Sequence, residues 1–204
     1  MINDLTICVC GAGTMGSGIA QVFAQKGFQV ILFDTNENGL TNAKTRIEKF
    51  APGITTNIKF TSSIADCVAQ LIIEAIIENA NIKLQLFNDL ARINSSKTII
   101  TTNTSSLSVN TLSNNISHPE RFAGMHFFNP APLMKLVEIV KTPLTSSAVL
   151  DTLTAIVREL QKTPVVCKDS PGFIVNRVAR PYYLEALRLV EKNVAGIHTI
   201  DQLM

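Results

Sequence analysis

Several features of membrane-spanning, secreted or nucleic-acid-binding proteins are missing from this sequence. No apolar run reaches the roughly eighteen residues that a membrane-spanning helix needs, and the opening Met-Ile-Asn-Asp-Leu lacks the basic stretch and cleavage site of a secretory signal. No basic tract stands out, since 18 basic and 16 acidic side chains give a net charge of +2. We therefore expect a cytoplasmic protein that binds neither membranes nor nucleic acids.

Paired cysteine motifs are also absent. The four cysteines form no CxxC pair and lie in apolar runs, at Cys8, Cys10, Cys67 and Cys167. This pattern is typical of buried free thiols, so the sequence predicts neither a disulfide nor a metal site. The chain is instead rich in apolar residues: 46% of its 204 residues are hydrophobic and 17% are charged. That suits one domain of ordinary size plus part of another.

The start of the chain predicts a dinucleotide-binding unit. An apolar run over residues 5–10 breaks into GAGTMG and then into a helix over residues 17–26. Gly11 permits a sharp turn, Gly13 lets the backbone approach a pyrophosphate, and Gly16 lets the helix lie close on the strand. The backbone expected to hold the phosphates is that of Gly11, Ala12, Gly13, Thr14, Met15 and Gly16. The alternative is a glycine turn in another doubly wound fold.

An acidic residue after the second strand predicts the cofactor. Gly27 ends the helix, and residues 28–33 form a buried strand that ends in Asp34, 23 residues after Gly11. A carboxylate at this position hydrogen-bonds a ribose 2′-hydroxyl and repels a 2′-phosphate. The sequence therefore predicts NAD rather than NADP.

Strands and helices alternate along the following residues. Helices are expected over 36–50, 81–93 and 146–161, a helical turn over 65–70, and strands over 58–63, 71–77, 98–102, 136–140 and 164–167, with a further apolar strand in the stretch 122–130. This alternation predicts an α/β fold of the Rossmann type, with a doubly wound and mostly parallel sheet. We expect residues 1–170 to form this domain.

A second unit is expected after the break at residues 169–172. From Phe173 an amphipathic helix extends to Asn193, and Pro181 is expected to kink it. Its apolar face is larger than docking on one domain requires, so residues 171–204 are predicted to begin an all-helical C-terminal domain. Burial of that face between two copies of the chain predicts a homodimer.

Isolated polar residues mark candidate functional positions. The cluster at residues 103–108 follows a strand end, where ligands bind in open α/β sheets, although helix capping would also explain it. His126 and Glu138 each interrupt an apolar strand, and mutual pairing would offset the cost of burying them. The pair is either an acid-base dyad or a structural ion pair. His118 and His198 are expected to face solvent.

The motifs together resemble the L-3-hydroxyacyl-CoA dehydrogenases. The resemblance is carried, in order along nearly the whole chain, by GAGTMGSGIAQ, IIEAIIEN, NTSSLS, GMHFFNPAPLMKLVEIV and DSPGFIVNR. It implies oxidation of an L-3-hydroxyacyl-CoA, such as 3-hydroxybutyryl-CoA, to the 3-oxoacyl-CoA with NAD. His126 is implied as catalytic base and Glu138 as the group that orients it. Ser105 and Asn176 are implied to hold the C3 oxygen of the acyl-CoA substrate.

The resemblance also implies NAD contacts for the glycine motif and for Asp34, Glu78, Lys83, Ser105 and Asn129. The chain departs from the family in two places. The connector between Asp34 and Leu71 is shorter than the family's helical hairpin, which helps to hold CoA, so the resemblance assigns no particular residues of the connector to CoA. The chain also stops at Met204, where the family's helical second domain would be starting. The alternatives to an active enzyme are a catalytically impaired NAD-binding fragment and a crystallin-like relative without activity.

Overall fold

The computed structural model describes residues 5–203. The strands are β1 (Thr6–Cys10), β2 (Gln29–Phe33), β3 (Ile58–Thr61), β4 (Leu71–Glu74), β5 (Ile99–Thr102), β6 (Phe122–Phe127), β7 (Leu136–Lys141) and β8 (Thr163–Lys168). The helices are α1 (Thr14–Gln25), α2 (Glu37–Phe50), α3 (Ala80–Ile93), α4 (Val109–Ser113), α5 (Ser147–Glu159), α6 (Val175–Glu191) and α7 (Ile197–Leu203).

All eight strands form one sheet in the order β3-β2-β1-β4-β5-β6-β7-β8. The pairs from β3 to β6 are parallel, β6 and β7 are antiparallel, and β8 is parallel to β7. Only residues 128–135 connect β6 to β7, too few for the crossover that a parallel pair requires. The predicted Rossmann-type fold with a mostly parallel sheet is confirmed, and the one antiparallel pair is a feature that the sequence pattern did not locate.

Apolar layers cover both faces of the sheet. Ile7 and Val9 of β1 pack into one layer with residues of α1, α2 and α5, whereas Cys8 and Cys10 pack into the other with residues of α3 and α4. Side chains alternate between the two faces of a strand, so β1 must be apolar at every position. The predicted burial of all four cysteines as free thiols is confirmed.

Some element boundaries differ from the prediction. Helix α1 begins at Thr14 rather than residue 17, because Gly13 is its N-cap. Strand β4 ends at Glu74 rather than residue 77, because the Glu74 carboxylate accepts a hydrogen bond of 2.7 Å from the Ile76 N–H and turns the chain. The short helices α4 and α7 were not predicted.

The C-terminal helices lie outside the core of the sheet. Helix α6 continues through Pro181, and the structure assigns it no buried residue. No helix among residues 5–203 combines the length and the apolar character needed to cross a membrane. Two predictions fall outside the described residues. The lack of a secretory signal was predicted from the N-terminal residues, of which 1–4 are not described, and the other prediction concerns Met204.

Candidate active site

The glycine motif after β1 forms a turn that larger residues would disrupt. Gly11 has φ +109°, and a Cβ atom there would lie 2.5 Å from the Ala75 carbonyl oxygen. A Cβ atom on Gly16 would lie 1.7 Å from the Gly11 carbonyl oxygen. The turn therefore requires glycine at both positions, for the tight turn and the close helix packing that the motif predicted.

The N-terminus of α1 is open to an anion. A Cβ atom on Gly13 would meet no atom within 4 Å, and no side chain caps the helix. Within residues 5–203 the N–H groups of Thr14, Met15 and Gly16 have no hydrogen-bond partner. Unpaired N–H groups and the positive end of the helix dipole favour binding of a phosphate. The residues present thus fit the pyrophosphate of a dinucleotide.

Asp34 lies half-buried beside this turn, just after β2. Its carboxylate accepts hydrogen bonds from the Ala12 N–H at 2.7 Å and the Asn36 N–H at 2.9 Å. Gly11, Gly13, Asp34 and Ile76 line a groove of about 660 Å³. The Asp34 carboxylate therefore lines the same groove as Gly13, the N-cap of α1.

The polar cluster after β5 surrounds Glu78. The Thr104 and Ser106 hydroxyls and the Ser105 and Ser106 N–H groups donate to Glu78 Oε1. Burial opposes ionisation of Glu78, but the hydrogen bonds from Thr104 and Ser106 and the nearby Lys83 outweigh it and lower its pKa to about 2. The capping alternative holds for Ser108, whose side chain caps α4.

A buried ion pair lies behind this cluster. Lys83 Nζ is 2.5 Å from Glu74 Oε1 and 3.1 Å from Glu78 Oε2, and its side chain is 1% exposed. The Thr102 hydroxyl donates to Glu74 Oε2 at 2.7 Å. Burial raises the pKa of Glu74, and the Lys83 charge opposes that rise. Glu74 was not predicted as a site residue, although a carboxylate in the apolar run of β4 was the available signal.

His126 and Glu138 meet at the antiparallel pair. They are directly opposite in the register of β6 and β7, and His126 Nδ1 lies 2.7 Å from Glu138 Oε2. Residues opposite each other in a ladder point to the same face, which brings these two side chains together. The rings of Phe128 and Phe173 pack against the imidazole. Within residues 5–203 Nε2 of His126 makes no hydrogen bond.

The second oxygen of Glu138 binds the start of α6. The Ile174 and Val175 N–H groups each donate to Glu138 Oε1 at 2.9 Å. Charge-assisted bonds of this kind, at the positive end of a helix, stabilise the carboxylate and fix its orientation. These donors were not predicted, because they belong to the backbone and carry no side-chain signal.

Within the described residues the remaining predicted residues make no hydrogen bond to His126 or Glu138. Ser105 is exposed beside Glu78, and Asn129 is exposed just after β6. Asn176 lies half-buried in the first turn of α6 and makes no hydrogen bond to His126. His118 and His198 are exposed, as predicted.

The fold and the site define a class, the dinucleotide-binding oxidoreductases: a mostly parallel open sheet, a glycine turn at a helix N-terminus, and a buried imidazole paired with a carboxylate. Residues 6–170 match the family model of the 3-hydroxyacyl-CoA dehydrogenase NAD-binding domain, and residues 172–204 match the C-terminal domain of the same family. The chain therefore belongs to the 3-hydroxyacyl-CoA dehydrogenase family, a family of oxidoreductases, and NAD is the cofactor of its main domain.

Relatives include 3-hydroxyadipyl-CoA dehydrogenase of Escherichia coli, 43% identical over 98% of this chain and 46% of the relative. The mitochondrial hydroxyacyl-coenzyme A dehydrogenase of Sus scrofa is 44% identical over 97% of this chain and 70% of the relative. The structure of 3-hydroxybutyryl-CoA dehydrogenase from E. coli K12 superposes with a TM-score of 0.88 at 42% identity, covering 95% of this chain and 44% of that one. The chain thus spans about half the length of the E. coli relatives.

Proposed function

We propose that this chain catalyses NAD-dependent oxidation of L-3-hydroxyacyl-CoA thioesters, such as 3-hydroxybutyryl-CoA, to 3-oxoacyl-CoA. The observation that carries the proposal is the buried imidazole of His126. One of its nitrogens is held by Glu138, and the other has no partner within the described residues. Names of relatives, which include 3-hydroxyadipyl-CoA, hydroxyacyl-coenzyme A and 3-hydroxybutyryl-CoA dehydrogenases, support the substrate class.

His126 is the proposed general base. Nε2 takes the proton of the C3 hydroxyl, while Nδ1 donates to Glu138, whose negative charge stabilises the imidazolium that forms. Bound at the glycine motif and Asp34, NAD would supply the acceptor for the hydride from C3. In the reverse direction the imidazolium returns the proton to the C3 oxygen. Ser105 and Asn176 are proposed to donate hydrogen bonds to that oxygen as charge develops on it.

The proposed NAD site begins at the glycine motif, whose free N–H groups suit the pyrophosphate, and includes Asp34 for the ribose. Glu78, Ser105 and Asn129 are further proposed contacts. Lys83 is also retained in the proposed NAD site, but its buried Nζ supports an indirect role, in which its charge holds Glu78 in place.

The proposal is tested by NADH formation. We expect turnover with L-3-hydroxybutyryl-CoA and NAD, and much slower turnover with the D enantiomer or with NADP, which serve as matched controls. The chain contains no tryptophan, so NADH binding is measured in parallel by its own fluorescence. NADH binding without turnover would contradict the enzymatic proposal and favour the alternative, an impaired or non-enzymatic NAD-binding protein. The absence of a hydrogen bond between Asn176 and His126 in the described residues is the observation that favours this alternative.

We place the domain boundary after residue 170. Residues 163–168 still pair with the sheet in β8, whereas α6 packs outside its core, and this contrast supports the division into residues 1–170 and 171–204. Limited proteolysis is expected to cut first near residues 169–173. A first cut inside the sheet would contradict the division.

We also propose a cytoplasmic location, supported by four free thiols, which are typical of a reducing compartment. Detection of the protein outside the cytoplasmic fraction would contradict this location.

We propose a homodimer formed through α6. Val178 is 71% exposed and Leu187 is 65% exposed, and burying such side chains stabilises by roughly 1.5 to 3 kcal/mol each. Light scattering is expected to give about twice the chain mass of 22.2 kDa. The double variant Val178→Asp/Leu187→Asp should be a monomer, whereas Phe50→Asp, an exposed apolar residue on α2, should leave the dimer intact. A monomeric wild type would contradict the proposal.

A further inference from the structure

Three cysteine thiols converge beneath the glycine turn. Cys8 and Cys10 lie on the same face of β1, and Cys67 follows a short 3-10 turn over Ile64–Asp66. Their sulfur atoms all lie within 4.8 Å of one another, and those of Cys8 and Cys10 are 3.8 Å apart. All three residues are fully buried. The order of residues does not predict this group, because Cys67 is distant along the chain and no two cysteines have the CxxC spacing.

This spacing fits three sulfur ligands of one ion. A metal–sulfur distance of about 2.3 Å places three sulfurs around a shared ion roughly 3.8 to 4.0 Å apart. The Cys8–Cys10 pair already has this separation, and Cys67 needs at most a small shift. Among residues 5–203 the group has no fourth His, Cys, Asp or Glu ligand. Zn²⁺ prefers four ligands, whereas thiolates select soft ions such as Cu(I).

We propose that Cys8, Cys10 and Cys67 form a three-thiolate binding site for a soft monovalent cation, Cu(I). The site lies in the apolar layer between the sheet and α3, and none of the three cysteines lines the groove beside Asp34. It releases thiol protons on binding and involves no redox step. The proposal does not depend on the dehydrogenase function.

Entry of the ion requires the segment that carries Cys67 to open. The Asn94 side chain holds that segment from both sides: its amide donates to the Cys67 carbonyl oxygen at 2.8 Å, and its oxygen accepts from the Ala69 N–H at 2.9 Å. Replacing this side chain removes both bonds without touching a sulfur atom. Asn94→Ala is therefore expected to take up Cu(I) faster than the wild type, with the same stoichiometry.

The test is an anaerobic titration of the reduced full chain with Cu(I), in competition with a chromophoric Cu(I) chelator. We expect one tightly bound Cu(I) per chain, with three sulfur neighbours by X-ray absorption. Cys67→Ser should weaken binding by more than about 100-fold, since loss of an outer-shell partner alone costs up to that much. Cys167→Ser is the matched control, because it removes a buried free thiol outside the group.

Circular dichroism establishes that each variant is folded, and Cys8→Ala replaces Cys67→Ser if the latter unfolds. The X-ray absorption result needs only the wild type, so it decides even if both variants unfold. Absence of tight binding by the wild type, fewer than three sulfur neighbours, or equal binding by Cys67→Ser and Cys167→Ser would overturn the proposal. The three thiols would then be apolar packing residues only.

Discussion

Two fully buried carboxylates, Glu74 and Glu138, occupy similar positions in the sheet but have different surroundings. Glu74 binds Lys83, the Thr102 hydroxyl and the Ile76 N–H, and Lys83 is itself bound again by Glu78. Glu138 is bound as fully, by His126 and by two N–H groups of α6. The difference lies in the partner: Lys83 is enclosed by carboxylates, whereas His126 keeps one nitrogen without a partner in the described residues.

Glu74 and Glu138 together show that burial alone does not identify a reactive group. A buried charge needs partners in either case, because an unpaired one costs several kcal/mol. In the Glu74 network both oxygens of Glu74 and of Glu78 have partners, and we expect it to hold Glu78 and the loop after β5 in place. In the Glu138 network the carboxylate orients an imidazole that can still exchange a proton. Disrupting each network should therefore affect different properties.

The largest effect is expected for His126→Gln. Removal of a general base typically costs 10² to 10⁴-fold, so we expect kcat to fall by roughly 10³-fold while NADH affinity stays unchanged. Steady-state kinetics and NADH fluorescence measure the two quantities. His118→Gln, at an exposed loop position, is the control and should keep full activity. If both variants were equally active, His126 would not be the base.

Glu74→Gln should act on stability instead. Removing one partner of a buried pair costs about 3 to 5 kcal/mol, and since Glu78 still faces Lys83 we expect a loss of about 3 kcal/mol. Urea unfolding measures this loss. Glu191→Gln, at an exposed position in α6, should change the free energy of unfolding little. A loss below about 1 kcal/mol for Glu74→Gln would show that the Glu74–Lys83 pair does not support the fold.

Asp34 is an intermediate case, a half-buried carboxylate that borders a groove. Asp34→Ala should weaken NADH binding by about 1 to 3 kcal/mol, because a charge-assisted hydrogen bond to the ribose is lost. The preference for NADH over NADPH should fall with it. Fluorescence titration with both cofactors measures the change, and Asp151→Ala, exposed on α5, is the control. Equal wild-type affinities for NADH and NADPH would contradict the role of Asp34.

The smallest effect is a pH dependence from Glu78. Its pKa is lowered from 4.5 to about 2 in the folded chain, so the folded state binds fewer protons than the unfolded state between these values. The stabilisation is complete above pH 4.5 and is lost as the pH falls towards about 2. Between pH 5 and about pH 2.5 the wild type should lose more stability than Glu78→Gln. Urea unfolding at each pH measures the free energy of unfolding of both proteins. An equal dependence on pH for the two proteins would show that folding does not lower the pKa of Glu78.

Much of the site could be predicted from the sequence because its signals are local. The glycine motif is a contiguous turn, and Asp34 ends the next strand, so both follow from the order of residues. The pairing of His126 with Glu138 was predicted because each is a lone polar group in an apolar strand, and the opposite register of β6 and β7 confirms that they meet. Their roles in catalysis remain predictions.

The rest depends on contacts that residue types do not reveal. The N–H groups that bind Glu138 come from residues of α6 far along the chain, and backbone groups look alike at every position. Cys67 joins Cys8 only because β1 and the turn before β4 pack together. The antiparallel direction of β7 follows from the length of one loop. Helix α7 is too short to give a clear periodic pattern.

His126 and Glu138 are proposed to act as one unit, and a double-mutant cycle separates joint action from independent action. The kcat/KM values of the wild type, His126→Gln, Glu138→Gln and the double variant are measured with L-3-hydroxybutyryl-CoA at saturating NAD. If Glu138 acts through His126, the double variant loses little more than the worse single variant. Losses that simply add in free energy, with NADH binding intact in all four proteins, would contradict the account.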